Sequence, residues 1–249
     1  MRSPLFDHVH AEVQSSDLFA LQSDRMLKVT LGPDVLAGKG TMVAYQGQVQ
    51  FHHEGSGSVA RFVKNAMSSD NQPLMRVSGQ GEVFFARSAE HVFLIQLEGD
   101  AISVNGSSLL AFESRLQWDL HRTKGAGMMT SGLFNTLIHG EGMVALTSHG
   151  APMILDCSQQ PTFVDPNATV CWSANLTPGI VNSMNMRSLI RGGTGEAFQY
   201  SFHGPGFVVV QPSEGYPMPP TPESRWFDAG VGRGESSCLR PGSAELLPG

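Results

Sequence analysis

The chain has 249 residues, of which 41% are hydrophobic and 15% charged, and its formal net charge is −6. That length suits one large β domain or two small ones, and the acidic balance argues against a surface that coats nucleic acid. No apolar run approaches the roughly 20 residues that span a bilayer, no apolar signal core opens the chain, and Cys157, Cys171 and Cys238 lack paired spacing, so a disulfide framework is not expected and a cytoplasmic location is.

Residues 1–25 read as an N-terminal arm with a first strand, residues 26–211 as one repeated β domain, and residues 212–249 as a Pro- and Gly-rich flexible tail with Trp226-Phe227 as its one apolar anchor. Met26 to Leu31 alternates weakly. Met42 to Phe51 reads MVAYQGQVQF and repeats apolar residues at Val43, Tyr45, Val49 and Phe51. Glu82 to Leu97 holds two apolar runs around a polar turn. Such short runs bounded by Gly, Asp or Asn are the pattern of strands. No segment sustains a 3.6-residue apolar period beyond about 12 residues. Three connectors interrupt the strands. Ser56 to Gln72 predicts a short helix with Val59, Phe62, Val63 and Ala66 on one face. Arg122 to Ser131 is rich in Gly and Met, and Asn185 to Gly195 predicts one helical turn.

Gly-x-Gly followed by an apolar pair occurs at Gly79-Gln80-Gly81, Gly140-Glu141-Gly142 and Gly204-Pro205-Gly206, about 60 residues apart. The similarity extends beyond the glycines: Leu110-Ala111-Phe112 aligns with Val170-Cys171-Trp172, and Val104-Asn105 with Val164-Asp165. A first copy without its front half covers Leu27 to Phe51, and the third copy stops after Gln211. That offset predicts a pseudo-threefold β structure whose first and last halves complement each other. The glycines read as corners where two backbones approach closely, because no third glycine or strand-to-helix context marks a dinucleotide loop.

The search for chemistry returns little. His8-Val9-His10 has the opening of a cupin metal site, but Glu12 stands too near; in His52-His53-Glu54 at most one His shares a strand face with Glu54. No Gly-x-Ser-x-Gly elbow or Walker loop is present, and Cys157 and Cys171 sit in apolar strand runs. No catalytic residue, metal or cofactor is therefore expected. Two sets of residues remain as candidates. Arg61, Lys64, Arg122, Lys124, Arg187 and Arg191 give each connector two cations; they read either as solvated charges or as an anion- or partner-binding ring. His139 and His203 each precede the first glycine of a corner and read either as surface histidines or as a pair lining an axis or interface.

The Gly-x-Gly strand pair, the run Gly99 to Val104 and the run Leu109 to Phe112, repeated as Phe163-Val164-Asp165 and Val170-Cys171-Trp172 and closed by Phe202 to Gln211, resemble the "altered inheritance of mitochondria" (mitochondrial biogenesis) family over roughly Met26 to Gln211. The resemblance implies an all-β, double-stranded β-helix body with three pseudo-repeats, similar in fold to the ring-forming tryptophan RNA-binding attenuation protein (TRAP-like). It brings no enzymatic activity and no catalytic residues. The expectation is a non-enzymatic β scaffold or interaction module that forms a homo-oligomer, a trimer among the options, and contacts an unidentified protein. A ring-like RNA- or ligand-binding module is the alternative, and a cupin-like metalloenzyme the weakest reading.

Overall fold

Strand-forming apolar runs separated by Gly, Asp and Asn turns fold here into fifteen strands among the described residues. The computed structural model describes residues 3, 6, 10–54, 73–122, 134–182 and 198–214. The chain divides into two units, Met1–Gly215 and Tyr216–Gly249, and every described residue lies in the first. In chain order the strands are β1 (Phe19–Ser23), β2 (Met26–Leu31), β3 (Val35–Gly38), β4 (Met42–His53), β5 (Leu74–Phe85), β6 (His91–Asn105), β7 (Leu109–Glu113), β8 (Gln117–Arg122), β9 (Phe134–Ser148), β10 (Met153–Asp156), β11 (Thr162–Val164), β12 (Thr169–Ser173), β13 (Gly179–Asn182), β14 (Phe198–Phe202) and β15 (Phe207–Val210). Twelve of them form one sheet, and β11, β14 and β13 form a second. The pairings are antiparallel, and no α-helix occurs among the described residues. The chain is thus all-β. The two helical connectors expected at 56–72 and 185–195 lie outside the described residues, as does the tail from residue 215 on.

All six glycines of the Gly-x-Gly pairs have positive φ, from +112° at Gly79 to +158° at Gly142. At Gly79 and Gly81 an added Cβ would run into the backbone of Gln48 and Gln46 on the paired strand, and at Gly206 into the Ser173 side chain. The pairing around these corners recurs. Past the second glycine, Val83, Val144 and Val208 face Tyr45, Phe112 and Trp172, and in each partner strand one extra residue (Val43, Leu110 or Val170) forms a bulge at the next step. Before the first glycine, Val77, Ile138 and Phe202 face Val35, Ile102 and Thr162.

Two further pairings join successive corners: β3 lies beside β7, with Leu36 opposite Phe112, and β6 lies beside β12, with Ser103 opposite Trp172. These joints bury the strands on both faces. Leu36, Phe112, Ile138 and Val144 fill one core cluster, Leu27, Val29, Val83, Phe85 and Leu110 a second, and Trp172, Tyr200, Phe202 and Val208 a third. Each such side chain contributes roughly 1.5–3 kcal/mol by leaving water. Cys157 and Cys171 are buried free thiols, and burial pushes the Cys171 thiol up to about 12, so it stays protonated and inert at neutral pH.

Candidate functional site, an open strand edge

β4 departs from the expected half-buried pattern. Residues Val43 to Gln46 are exposed, whereas the corresponding stretches of β7 and β12 are buried on both faces. The physical reason is the neighbour. β7 has β3 along its outer side and β12 has β6, while among the described residues β4 pairs with β5 alone. Tyr45 therefore stays 49% exposed in the position where Trp172 is 2% exposed. Its ring rests edge-on against Phe51, centroids 5.4 Å apart, which holds the aromatic on the strand surface. At the other end of the repeated pattern, β11 pairs among the described residues with β14 alone and presents Phe163, 55% exposed. Among the described residues β4 and β11 thus offer outer sides without a strand partner beside apolar side chains, as do the edge strands β1, β10 and β13 with Leu21, Ile154 and Val181, a combination that proteins ordinarily cover.

A buried charge cluster fixes the arm beside this edge. The Lys28 ammonium, 1% exposed, lies 2.7 Å from Glu12 Oε1 and 2.7 Å from Glu82 Oε1, and donates to the Val13 carbonyl at 2.8 Å. Glu12 Oε2 in turn accepts from Gln46 Nε2 of β4 at 3.0 Å. Burial alone would push the Lys28 pKa down, but hydrogen bonds and charge from Glu12 and Glu82 outweigh it and hold it above the ordinary 10.5. Glu12 lies below the ordinary 4.5, through its hydrogen bond with Glu82 and then through Lys28. The Lys28 stabilisation is therefore full below pH 10.5 and lost above it, and the Glu12 stabilisation is full above pH 4.5 and lost below it. Lys28→Met is expected to cost about 2 kcal/mol at pH 7, less than a fully buried pair because the carboxylates are 27% and 30% exposed. Urea unfolding across pH checks this: the variant should lose the alkaline fall in stability that the parent shows above pH 10.5.

The sequence-derived candidates are placed less closely. His139 is exposed on β9, across from Ala101 and Gln117, and His203 is exposed just after β14. Arg61, Lys64, Lys124, Arg187 and Arg191 lie outside the described residues; the Arg122 backbone ends β8 opposite Phe134, and its side chain lies outside them too. In the His52-His53-Glu54 run, Glu54 accepts from Arg76 Nε at 3.0 Å and from Arg76 Nη2 at 3.1 Å, and His52 hydrogen-bonds Gln50. Among the described residues no three His, Cys, Asp or Glu side chains form a metal-holding group, and no helix is long and apolar enough to cross a membrane. A cleft of about 540 Å³ opens at the third corner, lined by Leu97, Ile102, Asn175, Pro205 and Phe207 with Asp100 as its one charged group. Sequence reasoning did not single out Gly47, whose Cα lies against Gly81 on the paired strand, or the exposure of Tyr45.

Residues 19–213 match the model of a family described as mitochondrial biogenesis AIM24. A crystal structure of a protein from Streptococcus pyogenes is similar at a TM-score of 0.61 and 20% identity, over 78% of this chain and 91% of that one, a likeness of fold. No curated protein matches the sequence.

Proposed function

This chain belongs to the mitochondrial biogenesis AIM24 family, and from that premise we propose that it is a non-enzymatic β scaffold that acts through protein contact, self-association included. The observation that carries this reading is β4: a long strand with Val43 and Tyr45 exposed beside an unpaired edge, attached to a core that is otherwise well buried. Open edges recruit extended chain by main-chain hydrogen bonding, and flanking apolar side chains add the area that makes the contact selective. Buried free thiols suit a reducing cytoplasm. A role in binding RNA has less support, because the lining of the third-corner cleft includes Asp100 and no lysine or arginine to meet phosphate.

A photo-crosslinking amino acid at position 45 tests the reading in native cells. The expected result is a covalent protein adduct at 45 and none from the same group at the exposed Glu98, which lies outside the edge. No adduct at either position contradicts it.

A further inference from the structure

The chain makes one joint twice within itself. In the first, β3 pairs with β7 so that Ala37 faces Ala111 and Leu36 faces Phe112; in the second, β6 pairs with β12 so that Val104 faces Cys171 and Ser103 faces Trp172. Both halves of this joint have a third counterpart. Through their pairing with the strand before the first glycine, Ala37, Val104 and Val164 correspond, facing Met75, Thr136 and Tyr200. Through the strand after the second glycine, Tyr45, Phe112 and Trp172 correspond, facing Val83, Val144 and Val208. The third counterparts are therefore β11 and the first half of β4. Neither meets the other in this chain, and among the described residues both outer sides are unpaired.

We infer that β11 of one copy pairs antiparallel with β4 of the next, in the register of the two internal joints. Val164 then faces Ala44, Phe163 faces Tyr45 and Thr162 faces Gln46. The chemistry fits: the position occupied by Phe112 and Trp172 in the internal joints keeps an aromatic, Tyr45, although among the described residues no strand pairs along its outer side and it stays 49% exposed. Opposed Phe163 and Tyr45 make a favourable cross-strand aromatic pair. The two surfaces differ, so the contact is head-to-tail, and each added copy leaves one edge of each kind free until a ring closes.

The inference rests on the interaction-scaffold reading and names its partner as a second copy. Sedimentation velocity of the full chain decides it. The parent is expected to form species larger than a dimer. The V43K/Y45K and Phe163→Lys variants should each sediment as monomers, because a lysine on either edge blocks pairing. Mixed one to one, they should give a dimer and nothing larger, since one intact edge of each kind remains. A monomeric parent overturns the proposal, whether the edges close on each other or are covered by the chain's own tail; so does a mixture that stays monomeric while both variants melt like the parent. Should either variant melt early, a parent carrying the crosslinker at 45 and mixed with ¹⁵N-labelled parent replaces it: an inter-copy link to the segment around Phe163 is expected. Links at 45 to other proteins alone would leave the scaffold reading standing and sink this one.

Discussion

Gly81→Ala is expected to lower stability by at least about 2 kcal/mol and to loosen β4 from β5. Gly81 has φ of +139°, where an L side chain costs roughly 1–3 kcal/mol. An added Cβ would also run into the carbonyl of Gln46 and lie 3.0 Å from the Cα of Gly47. Both obstacles are backbone of the paired strand, so neither can swing aside, and the strands must separate to make room. Gly99→Ala is the matched control: its φ of +95° is strained, but nothing stands within 4 Å of the new atom. It should cost about 1 kcal/mol. Urea midpoints measure both, and equal losses would remove the close-approach explanation of the corners.

Trp172→Ala is expected to cost about 3–5 kcal/mol. The buried indole packs against both Tyr200 and Phe202, with ring centroids 6.0 and 5.6 Å away, and its strand joins β15 to β6. Truncation leaves a cavity bordered by two large rings that cannot both collapse into it. Tyr45→Ala removes an aromatic from the corresponding position and should cost the isolated chain less than about 1 kcal/mol, because half of that ring is already in water. Thermal melts at low protein concentration compare the two. Similar losses would mean that Tyr45 is covered in solution.

Much of this architecture was readable from residues. The Gly-x-Gly spacing marked the corners, and Val170-Cys171-Trp172 aligned with Leu110-Ala111-Phe112 because both strands meet the same geometry. The two apolar runs between Glu82 and Leu97 fall on β5 and β6, and Phe84 and Phe85 of the first are buried. What misled was the alternation around Tyr45. Periodicity reports that a strand has an apolar face; it does not report whether another strand arrives to cover it. β4 carries the apolar pattern of its internal counterparts without their neighbour, and only the strand pairing of the folded chain separates the cases. The Lys28 cluster was equally hidden, since Glu12, Lys28 and Glu82 lie far apart in sequence and meet only when the arm crosses β2. The two candidate histidines mark corresponding corners, and both are exposed there.

Amide hydrogen exchange of the unmodified chain at low and high protein concentration tests the open-edge account most directly. The amides of residues 42–46 and 162–164 that point away from β5 and β14 should exchange quickly when dilute and become protected together as concentration rises, while the buried strands β7 and β12 remain unchanged. Protection of both segments that is already complete in dilute monomer, or exchange that ignores concentration, would contradict it.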